Sequence, residues 1–354
     1  MNASDIRFFN WKTPQFINMP EMDNKITNFL LPDERKRTPG QTLALKTCIF
    51  LYSGIFSSLV VRVKPMSITV TSKIKVGFKL GSYQAYCVAM AAAFIHYLKC
   101  RVMTVQRSKD KKMFKNTKVD LTDFTAEEKE AIRMWACCAS YFRSRHNSGS
   151  GVYCSTYGSM HIYTSKEVPW KNEVEQIDTL YNPSILLVDI GVPCDQNLEE
   201  VKVEYRKAYP GLYHAACLLS SRCSVTLANI MRQVDSTINS KQNQEKITTI
   251  VAEKSKLIAK LFFLNQGLIK CLTFSHPKAQ EVLEMAYSLD LRGFLVGSAQ
   301  GGMVCIFIPP FCTEEAKLKE LYKKANFKFT ANKMGVPGVS VTMLSETSNK
   351  KHKN

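Results

Sequence analysis

No two cysteines of this chain stand at C-x-x-C spacing, although it holds 12 of them. That excludes the common structural zinc and dithiol redox motifs. Cys48, Cys87, Cys217 and Cys305 sit inside apolar runs and read as reduced, buried small hydrophobes. The six histidines are scattered, so no metal site of the nitrogen and sulfur type is expected. Long apolar runs are missing too: Leu43 to Phe56 is broken by Lys46, and Ala85 to Leu98 is short and carries His96. Met1-Asn2-Ala3-Ser4-Asp5 lacks the basic-then-apolar profile of a signal peptide, so a cytoplasmic location and no transmembrane segment are expected. Glycine does not occur before Gly40, and Pro14, Pro20, Pro32 and Pro39 break that opening stretch into irregular structure.

What is abundant is positive charge. The 48 Lys and Arg residues against 30 Asp and Glu leave a net charge of +18. Much of it lies in Lys99 to Lys118, read as a loop, and in the tail Lys350-Lys351-His352-Lys353. Such charge suits nucleic acid, acidic lipid or an acidic partner, but no specific nucleic-acid motif accompanies it, and a solvated loop and tail are the plainer reading. A chain of 354 residues with 45% hydrophobic content is globular and long enough for two domains.

Apolar spacing predicts a helix at about 42–56, a half-buried strand within Val60 to Val76, and a helix at 83–98. Thr125-Ala126-Glu127-Glu128 is a capping box opening a helix whose inner face carries Ile132, Trp135, Ala136, Ala139 and Phe142. Ser144 to Gly151 reads as a loop and Val152 to Tyr163 as strand-like. Ile185 to Val188 suits a buried strand, and Leu198 to Ala286 is helical, with a long core stripe from Ile247 to Ile269. Two strands are expected around Gly297 to Gly302, a helix capped by Thr313-Glu314-Glu315, and a last strand following the turn at Met334. The order is mixed α+β, and a change in composition near 165–180 suggests a domain boundary.

The most informative stretch is Gly77-Phe78-Lys79-Leu80-Gly81-Ser82-Tyr83-Gln84, a glycine-bearing turn that opens a helix. Helix starts present free backbone N–H groups and partial positive charge, which is how proteins cradle phosphate. Tyr83 and Gln84 are bulky for such a place and are expected to obstruct it. Ser82 reads as a helix cap, and Lys75 and Lys79 flank the turn as cations that attract an anion or lie solvated.

Gly77 to Ala92 resembles the second motif of mevalonate kinase, a GHMP small-molecule kinase: G-x-G-L-G-S-S-A-A-Y-S-V and a small-residue helix. Leu295 to Gly302 resembles the third motif, L-T-G-A-G-G-G-G, and Gly335-Val336-Pro337-Gly338-Val339-Ser340 the closing G-A-P-G-V-S. Trp135-Ala136, Ser148-Gly149, Ser155-Thr156-x-Gly158 and Leu264-Asn265-Gln266 fall in register between them. The resemblance spans about 40–345. It implies a GHMP-kinase-like two-domain α+β fold: an incomplete ribosomal-protein-S5-like N-terminal domain (1–170) lacking the first motif, and an α/β C-terminal domain with the basic tail (171–354).

The resemblance also implies ATP and magnesium as cofactors, with Gly77, Leu80, Gly81, Ser82, Gly297, Ser298, Gly301 and Gly302 at the nucleotide. The first motif, P-G-K-x-x-L-x-G-E-H, has no counterpart here. The family's magnesium-ligating glutamate falls on Ser140 and its catalytic aspartate on Gly151. Its Thr-Lys pair falls on Ile190-Gly191, and Ala299 and Gln300 stand at glycine positions. No catalytic or metal-ligating residue is therefore assigned. The expected function is that of a mevalonate-kinase-like protein without phosphotransferase activity, a binding or regulatory subunit acting as a homodimer or with a competent relative. An active ATP:mevalonate phosphotransferase completed by an upstream segment, and a basic RNA- or membrane-binding module, are the alternatives.

Overall fold

The computed structural model describes residues 18–57, 65–109, 121–143, 149–164, 173–177, 183–194, 198–240, 243–272, 275–296, 301–310 and 312–342; at 33–35, 102–109 and 198–202 it describes the backbone alone. Five helices build the first core: α1 (Met19–Leu30), α2 (Pro39–Ser57), α3 (Ser82–Lys109), α4 (Ala126–Ser140) and α5 (Ser150–Tyr157). The apolar faces of α2, α3 and α4 meet in it through Phe50, Leu51, Phe94, Ile95, Ile132 and Ala139. The capping box of α4 forms as expected: Glu128 N donates to Thr125 Oγ1 (3.2 Å) and Thr125 N to Glu128 Oε2 (2.8 Å). α3 runs to Lys109, so the start of the predicted basic loop is helical; residues 110–120 and the tail lie outside the described residues.

The second core is built on a four-stranded antiparallel sheet, ordered β4 (Arg292–Val296), β5 (Met303–Ile308), β3 (Ser184–Asp189), β6 (Lys328–Lys333). Successive side chains point to opposite faces. Leu186, Val188, Val304 and Ile306 meet α9 (Pro277–Tyr287) and α10 (Glu315–Lys324) on one side. Ile185, Leu187, Cys305 and Phe307 meet α7 (Pro210–Ile238) and α8 (Gln244–Cys271) on the other. α6 (Leu198–Ala208) precedes α7, and β1 (Met160–Thr164) pairs antiparallel with β2 (Glu173–Ile177) beside it.

Several local expectations are corrected. Of the expected strand within Val60 to Val76, 60–64 lie outside the described residues and 65–76 form no strand, with Ile68, Val70 and Val76 exposed. Alternation makes a strand only where a second backbone supplies ladder bonds. Val152 to Tyr157 is helical, because Gly149 (φ +81) starts a helix by accepting from Tyr153 N (2.9 Å); strand begins only at Met160. Among the described residues the last strand precedes the turn at Met334, and α10 has Glu314 rather than Thr313 at its cap, with no side-chain cap bond. Cys217 is exposed on α7 and Leu264 is exposed on α8. Cys87 and Cys305 are buried hydrophobes as expected, and burial pushes each thiol up to about 12.

Candidate functional site

The turn before α3 is built from backbone in the left-handed region at Gly77 (φ +88), Lys79 (φ +55) and Gly81 (φ +77). Glycine meets that demand without strain. Gly81 rather than Ser82 holds the cap position: its carbonyl accepts from Ala85 N (2.9 Å), and Ser82 is the first helical residue, with Leu80 half-buried before it. Nothing lies within 4 Å of where a Cβ at Gly77 or Gly81 would stand, so the outer side of the turn is open.

The inner side is tied down. Cys194 N donates to Gly77 O (3.0 Å), and the Phe78 ring is buried. Lys75 Nζ lies 3.9 Å from the Phe78 ring centroid and 2.5 Å from Asp189 Oδ2, whose other oxygen accepts from Gly191 N (2.7 Å). Lys75 is thus engaged by a carboxylate, while Lys79 stays exposed. Asp189 had no role in the sequence reading, since its partner lies 114 residues away.

Gly301 and Gly302 reach the same place from β5, whereas Gly297 and Ser298 lie outside the described residues, as do Ala299 and Gln300. Gly302 (φ +108) donates to Val192 O (2.7 Å) and accepts from Ile190 N (3.4 Å). A Cβ on Gly302 would stand 2.9 Å from Cys194 Sγ and 3.4 Å from Phe78 O. On Gly301 it would meet Pro193 O at 2.1 Å. Both glycines are therefore filled by the protein's own chain, unlike Gly77 and Gly81.

Tyr83 does not obstruct the turn. Its side chain points into the helical core, where its hydroxyl lies 2.7 Å from Thr47 Oγ1 and donates to Ala139 O (3.1 Å). Burial holds its phenol well above the ordinary value. Gln84 takes a different place from the one expected. It packs across Gly151 on α5, where a Cβ would meet Gln84 Cγ at 3.1 Å and Cδ at 3.5 Å. Ser140 is almost wholly buried at the end of α4, its hydroxyl donating to Cys137 O (2.6 Å). Among the described residues no group of three His, Cys, Asp or Glu side chains comes together as a metal site.

The closing G-V-P-G stretch packs against the end of α5. Ser159 N donates to Val336 O (2.8 Å) and Val339 N to Thr156 O (3.2 Å). A Cβ on Gly338 would stand 2.3 Å from Thr156 O, so glycine is required there by close approach of two backbones.

No family model matches the chain. It is 22% identical over 305 residues to a mevalonate kinase of Arabidopsis thaliana, covering 84% of this chain and 71% of that one. The Methanococcus jannaschii mevalonate kinase structure superposes with a TM-score of 0.55 at 15% identity, over 90% of this chain and 80% of that one. Another mevalonate kinase structure superposes with a TM-score of 0.51 at 16% identity, over 90% and 82% of the two chains. The turn before α3, the glycines before β5 and the clasp at Gly338 sit in a fold shared with those structures. The chain is mevalonate-kinase-like in sequence and has the α+β fold of the GHMP kinases.

Proposed function

We propose that this mevalonate-kinase-like chain does not transfer phosphate to mevalonate and serves as a binding or regulatory subunit. The observation that carries the reading is Gln84 lying over Gly151. Gly151 matches the family's catalytic aspartate, and even the first carbon of a side chain there would press on Gln84, at 3.1 Å from its Cγ. A glycine cannot orient or deprotonate an alcohol. Phosphoryl transfer rests on positioning and on charge stabilisation by metal and cations, so losing these parts removes most of the rate.

Of the two implied cofactors, the donors present fit only one. Gly77, Gly81 and the first N–H groups of α3 offer an open backbone edge suited to a nucleotide phosphate. Magnesium prefers carboxylate and hydroxyl oxygens. Ser140 supplies no carboxylate, and its hydroxyl already donates to Cys137 O. The residues present do not fit the ion.

The steady-state expectation follows. With ATP, magnesium and mevalonate the purified chain turns over at background; a magnesium-dependent rate of about 1 s⁻¹, within the usual enzyme range, overturns the reading. Packing of Gln84 on Gly151 is checked by denaturant unfolding. Gly151→Asp destabilises the wild type but is neutral or better beside Gln84→Ala, a coupling of about 1 kcal/mol in a double-mutant cycle. Equal effects in both backgrounds would mean that Gln84 does not hold that space.

For the subunit role we read the exposed side chains Leu212, Leu218 and Leu219 on α7 and Phe263 and Leu264 on α8 as candidate contacts with a partner. A second copy or a competent relative in the cytoplasm fits the reading. No helix among the described residues is long and apolar enough to cross a membrane.

A further inference from the structure

A cavity of about 790 Å³ lies away from the glycine turn, between β1, β2, α7, α8 and β5. Its floor is apolar: Met231 from α7, Ile258 and Phe262 from α8, Phe307 from β5, all buried. Its rim on α7 carries Ser220 and Ser224, one helical turn apart. None of the residues given for the site before α3 lines it.

Its composition excludes one class of ligand. In a chain with a net charge of +18, no Lys, Arg, Asp or Glu side chain lines this cavity among the described residues. Among the described lining residues only the His161 imidazole could carry positive charge, so a phosphate or carboxylate placed there would lose its hydration with no lysine or arginine to pair with, which is costly. Volume and lining instead match small-molecule sites, which are mostly apolar with a few convergent polar groups. The serines suit one hydrogen-bonding group at the mouth. Ser220 Oγ donates to Asn265 Oδ1 (3.4 Å) and Ser224 Oγ to Ser220 O (3.0 Å), and each hydroxyl oxygen keeps lone pairs for an incoming donor.

We infer that this cavity is a binding site for an uncharged, hydrocarbon-rich molecule bearing a hydroxyl group, separate from the glycine turn and its anion chemistry. The hydrocarbon lies on Phe262 and Phe307, and the hydroxyl reaches the serine rim. The inference does not depend on the loss of phosphotransfer, since no residue of the cavity belongs to that chemistry.

The test uses the full chain with decan-1-ol, octan-1-ol and decanoate as probes in titration calorimetry. Decan-1-ol binds saturably; octan-1-ol, two methylenes shorter, binds about tenfold more weakly, and decanoate at least about tenfold more weakly than decan-1-ol. Ala228→Phe fills the floor and abolishes binding. Ser224→Glu, on an exposed position, puts a carboxylate at the rim and weakens decan-1-ol binding at least about tenfold with an unchanged unfolding midpoint. If Ala228→Phe does not fold, Ser224→Glu and the probe series still decide. Absence of saturable decan-1-ol binding, equal affinity for decanoate, or indifference to Ser224→Glu overturns the inference.

Discussion

Gly301→Ala is expected to cost about 4 kcal/mol or more of unfolding free energy, or to prevent folding. The added carbon would stand 2.1 Å from Pro193 O and 2.6 Å from Pro193 C, both backbone atoms, with Gly301 itself buried. Backbone cannot step aside as a flexible side chain can, so β5 or the 192–194 segment must shift and strain the core behind it. Gly77→Ala and Gly81→Ala meet no neighbour and bear only the left-handed backbone, about 1–2 kcal/mol each. Urea unfolding followed by circular dichroism separates the two classes. A Gly301→Ala protein as stable as Gly77→Ala would show that the third-motif glycine is not held by packing.

Tyr83→Ser is the second large effect, expected to cost about 3–5 kcal/mol, as truncations of buried aromatic side chains do. The ring fills the core between α2, α3 and α4, and its hydroxyl bonds Thr47 and Ala139 O. Tyr83→Phe keeps the packing and leaves Ala139 O without that donor, for about 1–2 kcal/mol. Thr47 Oγ1 retains its bond to Leu43 O (3.0 Å) in either variant. Neither change opens the glycine turn, so nucleotide affinity does not rise. Calorimetric melting checks the stabilities; an unchanged melting temperature with tighter ATP binding in Tyr83→Ser would restore the view that this ring obstructs the turn.

Features set by neighbours in the chain were legible in advance. The capping box at Thr125 needs only Glu128, three residues on, and Ile185 to Val188 reads as a buried strand from its own composition. His276 stands just before Pro277 and accepts from Lys278 N (3.1 Å) at the start of α9, a bond made two residues along the chain. Features set across the fold were not. The direction of Tyr83 depends on Thr47, 36 residues earlier, and the pairing of Lys75 with Asp189 on a contact between two regions.

Ser67 to Thr71 alternates as a strand does but has no strand beside it among the described residues. Its failure is one of partnership rather than of pattern. Val152 and Thr156 are β-branched in an eight-residue helix, where Gly149 and Gly158 at the two ends outweigh local propensity. The candidate site shows the same division. Its glycines and the missing carboxylates were visible as letters, whereas the Gln84 arm lying over Gly151 was visible only in three dimensions.

Slow product release could hide chemistry in a steady-state assay. A single-turnover measurement removes that ambiguity. The chain, in excess over γ-labelled ATP, is mixed with magnesium and saturating mevalonate, quenched over seconds to hours, and the label counted in each species. Label is expected to reach mevalonate no faster than in the absence of protein. Transfer of a stoichiometric amount of label within seconds would contradict the loss of phosphotransfer.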